Sequence, residues 1–268
     1  MYGRFWSRRW GWRRQGEKEK GRARDQRMNG YRPRYPHALI EWLKAECGLA
    51  PGQVIADIGS GTGQMTELFL KHGHPVYAVE PNADMRRGAE DELAAYPLLT
   101  SIGATAEATT IPDHSVHLVT VGNAFHWFNH DLTREEFLRI LIPGGWVVLA
   151  WNLERNNGSP FAMAFERFWQ KHIDPAARFT RFSERKLPNY IAQFFGEGRF
   201  NQNSLDNHQV CDFDALLGVT LSTLKAPQAD DPRFPPLVED LRAIFDPYQE
   251  NGTVTLEYDT ALVYGQLE

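Results

Sequence analysis

Eleven consecutive residues, Val54-Ile55-Ala56-Asp57-Ile58-Gly59-Ser60-Gly61-Thr62-Gly63-Gln64, constrain this chain more than any other stretch. An apolar, β-prone run reaches a carboxylate at Asp57, three alternate glycines follow, and Met65, Leu68 and Phe69 then recur at helical spacing. The order is strand, tight turn and helix start, the form of the nucleotide edge of a parallel sheet. Glycine allows close backbone approach to a ligand and φ > 0 without a Cβ clash. The spacing argues against the dinucleotide fingerprint G-x-G-x-x-G/A, because Gly63 comes one residue early and Gln64 follows it. Asp57 would also repel a pyrophosphate. It suits a ligand with a cationic group, such as the ammonium of an amino acid.

A second strand-and-acid pair follows. Pro75-Val76-Tyr77-Ala78-Val79-Glu80 reads as a strand ending in a carboxylate, and Pro81 and Asn82 open a helix with Asn82 as its N-cap. Glu80 lies 17 positions beyond Gly63, where an α/β nucleotide site places the acid that accepts from ribose hydroxyls. Further on, Gly122-Asn123-Ala124-Phe125-His126-Trp127-Phe128 ends a fourth strand, Val116–Val121, and faces the ligand side of an open α/β sheet. Trp146–Trp151 is an apolar fifth strand after the turn Pro143-Gly144-Gly145, and Thr133-Arg134-Glu135-Glu136 reads as a capping box for the helix before it.

The arrangement [D/E]-x-G-x-G-x-G at 57–63 resembles the first motif of class I S-adenosylmethionine (SAM)-dependent methyltransferases. Four more stretches resemble that family in the same order. They are Tyr31-x-x-x-Tyr35-Pro36, the Gly103-Ala104-Thr105-Ala106-Glu107 adenine loop, Pro112-Asp113 running into the fourth strand, and the Pro143-Gly144-Gly145 turn. The wording Ala124–Phe128 is similar to a methyltransferase type 11-like, trans-aconitate methyltransferase-like subgroup. Thr105 and His117 depart from the family pattern, standing where acids are usual.

The resemblance implies a Rossmann-like class I methyltransferase fold. It has a seven-stranded, mostly parallel sheet, helices on both faces and a helical insert before two antiparallel closing strands. It implies SAM as cofactor and a small-molecule acceptor, methylated on O or N, a carboxylate included. Asp57 would meet the methionine ammonium through water. The backbone at Gly59, Ser60, Gly61 and Gly63 would receive the methionine part, and Glu80 and Pro81 the ribose. Met85, Ala106 and Glu107 would flank the adenine, with Asn123 and Tyr31 completing the cofactor site. Tyr35, Trp127 and Phe128 would line the acceptor pocket. Tyr31 and Tyr35 serve equally as simple packing residues. His126 has two readings: it acts on the acceptor, since imidazole titrates near neutrality, or it bonds backbone at a strand end. No metal site is expected, because the His126/His130 and His72/His74 pairs lack a clustered third ligand.

The domain reading is 1–27 as a basic extension, 28–152 as the SAM-binding core, 153–251 as a helical substrate lid and 252–268 as the two closing strands. In the lid, Phe161, Phe165, Phe168 and Trp169 form a helical stripe that reads as core, and helices are expected at Asn189–Phe195, Asp214–Leu224 and Leu237–Tyr248. The closing strands read as Thr253–Tyr258 and Thr260–Gly265.

Charge is uneven. Residues 1–30 carry ten Lys/Arg against three Asp/Glu, so the net −5 of the chain hides +7 there and −12 in the remainder. With Trp6, Trp10 and Trp12 among the arginines, this segment could anchor an RNA-directed methyltransferase; an extension upstream of a start near Met28 is the simpler reading. The acidic body would repel polyanions, so nucleic acid is not the expected partner. A non-catalytic SAM-binding protein is the other alternative. Two cysteines, Cys47 and Cys211, and no span-length apolar run lead to the expectation of a cytoplasmic protein with no disulfide framework. The sequence leaves the oligomeric state open.

Overall fold

A computed structural model describes residues 31–172, 189–222, 226–227 and 230–267. The basic stretch 1–30 lies outside the described residues. The element order is α1 (Ala38–Cys47), β1 (Ile55–Ile58), α2 (Gln64–Lys71), β2 (Val76–Val79), α3 (Ala83–Glu92), β3 (Leu99–Ile102) and β4 (Val116–Gly122). A 3₁₀ turn at Phe125–Trp127 precedes α4 (His130–Ile140), β5 (Leu141–Glu154), α5 (Pro160–His172), a helical stretch at 189–195, β6 (Asn201–Cys211), α6 (Phe213–Leu221), α7 (Phe234–Phe245) and β7 (Val254–Gln266).

The seven strands form one sheet in the order β3-β2-β1-β4-β5-β7-β6. The first five run parallel and β7 is antiparallel to both of its neighbours. The order reverses between β1 and β4, and this switch point is where an open α/β sheet leaves a crevice beyond its carboxyl ends. Strands β1 and β4 read as apolar runs because helices cover both faces, burying almost every position. One cluster, with Phe125, Phe137 and Phe194, lies on one face; α1 and α2 close the other with Leu39, Ile40, Leu43 and Phe69.

A third cluster belongs to α5, α6, α7 and the outer ends of β6 and β7. The stripe Phe161, Phe165, Phe168 and Trp169 is buried there against Leu216, Leu237, Leu241 and Phe245, as core. The helices expected within 153–251 appear with shifted ends.

Three expectations are corrected. The two closing strands expected in 252–268 are a single strand, β7, whose alternation runs through Asp259 without a turn. Asp259 stays in register opposite Asp206 and Leu153 because the Arg155 guanidinium pairs with it and with Asp206 and Glu257. The seventh strand is β6, inside the span read as helical lid. Its sequence NQNSLDNHQVC is largely polar because it is an edge strand, exposed over most of its length. The capping box is also corrected. Asn129 caps α4 by accepting from Leu132 N, while Thr133 sits inside the helix and is buried. Glu136 turns inward to Thr109 and Arg139.

Candidate cofactor and acceptor site

The carboxyl ends of β1, β2 and β4 bring the two acids, the glycine loop and the Asn123–Phe128 turn together. Gly59, Gly61 and Gly63 have φ of 70°, 59° and 83°, left-handed values that side chains rarely adopt. Close approach adds a second reason at Gly59, where a Cβ would lie 2.6 Å from Ala124 Cβ and 3.3 Å from Phe128 Cζ. The loop is thereby seated against the turn after β4. At Gly61 the nearest atom to such a Cβ is the Met85 methyl, at 3.2 Å, so Met85 borders the loop from α3.

Asp57 lies beneath the loop, only 1% exposed. Thr66 Oγ1 donates to its Oδ2 at 2.6 Å and Thr120 Oγ1 to its Oδ1 at 3.4 Å, tying the start of α2 and β4 to β1. Burial pushes its pKa up to about 6, with the threonine bonds opposing and the Glu80 charge adding to the rise. Sequence reading did not single out Thr66 and Thr120. Only the strand register, which sets Asp57 opposite Thr120, brings that partner into view.

Glu80 is 8% exposed at the end of β2. Its Oε2 accepts from Gly61 N at 3.0 Å and its Oε1 from Asn82 N at 2.8 Å, so the carboxylate links the loop to the α3 start. Burial raises its pKa, against these bonds and the Arg86 charge. Asn82 caps α3 by accepting from Asp84 N and Met85 N, and the neighbouring Pro81 is exposed. Arg86, also unforeseen, donates to Glu80 O at 2.9 Å, and its guanidinium lies where a Gly103 Cβ would come within 2.9 Å. It spans from β2 to the loop after β3.

In that loop Ala106 is buried and Glu107 Oε1 accepts from Asn129 N at 2.8 Å, joining the expected adenine loop to the turn that carries His126. Asn123, with φ 54°, donates from Nδ2 to the Tyr35 hydroxyl at 3.0 Å. Tyr35 is buried and its pKa is raised, chiefly by burial. Tyr31 joins the helical cluster, its ring close against Gly218 of α6. His126 is half-buried and its pKa is lowered to about 4 by burial and by His130, so the imidazole is neutral at pH 7. Trp127 is 66% exposed and Phe128 half-buried at the loop. His130 bonds Phe125 O and stacks on Phe125, with its ring 4.6 Å from Tyr190, packing the 189–195 stretch on this turn.

The residues present fit an adenosyl amino acid. Each Glu80 oxygen accepts one backbone N–H and keeps capacity for a hydroxyl donor. The loop beside it has no side chain at Gly59, Gly61 or Gly63. Buried negative charge underlies the cradle at Asp57, where a cationic ligand gains most.

Comparison with known proteins agrees with the geometry. Residues 56–149 match the family model described as methyltransferase domain. Over 122 residues the chain is 37% identical to an uncharacterised methyltransferase of Mycobacterium tuberculosis, covering 45% of this chain and 47% of that protein. Over 170 residues it is 30% identical to an uncharacterised methyltransferase-like protein of Schizosaccharomyces pombe, covering 63% of this chain and 64% of that one. The chain therefore spans about half the length of the first of these relatives. A solved structure of a candidate type II methyltransferase from Anaeromyxobacter dehalogenans superposes with a TM-score of 0.66 at 25% identity, over 88% of this chain and 97% of that chain. Residues 56–149 thus carry the likeness to a methyltransferase domain, set in the class I, Rossmann-like α/β fold.

Proposed function

We propose that this chain is a SAM-dependent methyltransferase acting on a small molecule, at oxygen or nitrogen, with carboxylates among the candidate acceptors. The observation that carries the reading is the convergence of Asp57, Glu80 and the three-glycine loop at the switch point of the sheet. Bound SAM supplies a methyl group on a sulfonium, open to in-line displacement by a lone pair of the acceptor.

The chain's own task is alignment and exclusion of water. Glu80 holds the ribose hydroxyls through its free lone pairs, and Asp57 favours the cationic ammonium from beneath the loop. Met85 and Ala106 flank the adenine. Tyr35, Trp127 and Phe128 line the acceptor side, aromatic faces being favourable near a cationic centre. Neutral His126 orients the acceptor, since a pKa lowered to about 4 makes its ring a weak base. The Ala124–Phe128 turn supports the trans-aconitate methyltransferase-like subgroup. Cys47 and Cys211 are unpaired, and among the described residues no helix is long and apolar enough to cross a membrane, both in keeping with a cytoplasmic site of action.

Calorimetry against SAM, S-adenosylhomocysteine, NAD and NADP tests the cofactor. Uptake of the first two alone is expected; binding of a nicotinamide nucleotide instead would overturn the reading. A panel of small carboxylic acids, phenols and amines with labelled SAM then tests the acceptor, and labelled RNA in place of the panel would redirect it.

A further inference from the structure

Four successive carbonyl groups ahead of α1 are each held by a side-chain amide. Gln209 Nε2 donates to Tyr31 O at 2.9 Å, and Gln64 Nε2 donates to Arg32 O at 3.2 Å. Asn152 Nδ2 donates to Pro33 O at 3.0 Å, and Asn207 Nδ2 donates to Arg34 O at 2.8 Å. The donors come from β6, α2, β5 and β6 again. Pro33 and Pro36 keep this strap out of a helix, so its carbonyls need partners from elsewhere.

The central pair is itself built. Asn152 Oδ1 accepts from Asn207 Nδ2 at 3.1 Å and from Thr260 Oγ1 at 2.6 Å. Asn207 is 8% exposed and Thr260 is fully buried. The buried Gln209 Oε1 finds no partner among the described residues, so donation to the strap is the polar contact that holds this side chain. Arg34 pairs with Glu67 of α2 just beyond.

Immediately after the clamped carbonyls comes Tyr35, whose hydroxyl meets Asn123 at the end of β4. A Cβ on Gly122 would lie 2.5 Å from that hydroxyl, so the strand end lacks a side chain where Tyr35 enters. Gln64, meanwhile, directly follows the glycine loop. The strap is therefore fixed to the walls of the cofactor crevice through Arg32 and Tyr35, while β6 holds its outer end at Tyr31. A tie serving only to pack this segment would need no such convergence.

We propose that Asn152 and Asn207 are positioning residues for the cofactor, clamping the strap so that Tyr35 closes the β4 side of the crevice. This rests on the SAM reading above. Through β6 the same clamp links the helical lobe to the glycine loop. All four donors are uncharged, so the closure is insensitive to salt.

The test uses the full chain and SAM itself, by calorimetry alongside thermal melting. Asn152→Asp keeps the acceptor used by Asn207 and Thr260 but turns its donor into a second acceptor facing the Pro33 and Arg34 carbonyls. Its Kd for SAM is expected to rise about fivefold or more, the weight of one lost buried hydrogen bond. Gln209→Leu, at the outer end of the strap, should act in the same direction and serves if Asn152→Asp fails to fold. In a Tyr35→Ala background the effect of either substitution should vanish, which a merely structural tie would not do. Folded variants that bind SAM as the parent does, or an equal effect without Tyr35, would overturn the proposal. A parent chain that takes up no SAM would instead remove the cofactor reading on which it stands.

Discussion

Asp57→Asn should make this protein more stable and a poorer SAM binder at once. The carboxyl group titrates near 6 in the folded chain against 3.8 when exposed, and burial is the main cause. A carboxyl with a raised folded pKa binds its proton more tightly in the native state, so stability falls as pH rises from about 4 and levels off above about 6. The displacement of about two pH units corresponds to about 3 kcal/mol at pH 8. Asparagine has nearly the same shape and no charge to bury. Its oxygen can accept from Thr66 and its amide can donate to Thr120. The variant should therefore gain about 2–3 kcal/mol at pH 8, and this gain should vanish by about pH 4, where the parent is protonated in both states. Urea melts at pH 8, 6 and 4 read the difference directly. A variant that is no more stable at pH 8, or whose difference is the same at all three values, would refute the buried-charge argument. Affinity should move the other way, because a cationic ligand repays the buried charge. In the parent, SAM should bind more tightly as pH rises from 5 to 7, and this dependence should be lost in Asp57→Asn.

Glu80→Gln, which retains one acceptor for Gly61 or Asn82, should fold and weaken SAM binding about tenfold, the value of a charge-assisted contact; unchanged affinity would remove the ribose assignment. His126→Ala should lower turnover while leaving SAM affinity within about twofold. If the lowered pKa of about 4 governs catalysis, parent activity should also stay level on the acid side down to about pH 5, apart from losses due to cofactor binding. Glu136→Gln should cost about 2 kcal/mol in a denaturant melt, since Thr109 and Arg139 lose a charged acceptor. Its carboxyl is held down at about 2, chiefly by Arg139, so that stability is present above pH 4.5 and fades as pH falls toward 2; a melt showing no such acid loss would contradict the pairing.

The sequence by itself determined the elements whose signals are local. The apolar run into Asp57, the alternate glycines, the acid at Glu80 and the Asn82 cap all lie within about thirty positions and report one strand–turn–helix repeated, which is how a parallel sheet with a ligand edge is written. The stripe at Phe161–Trp169 was legible for the same reason, because period and burial coincide. Tertiary structure alone decided what depends on partners far along the chain. Strand β6 carries no apolar pattern, since an edge strand gains its place by pairing with β7 rather than by burying a face. Asp259 looks like a turn until Arg155 neutralises it. Thr133 resembles a cap, and only the position of Asn129 and the inward pull of Thr109 on Glu136 show otherwise. Asn152 and Asn207 stand 55 positions apart with ordinary neighbours, and become a clamp only where sheet order sets both beside the strap. Propensity and periodicity are properties of short windows, whereas a buried hydrogen bond between distant residues exists only after the chain has packed.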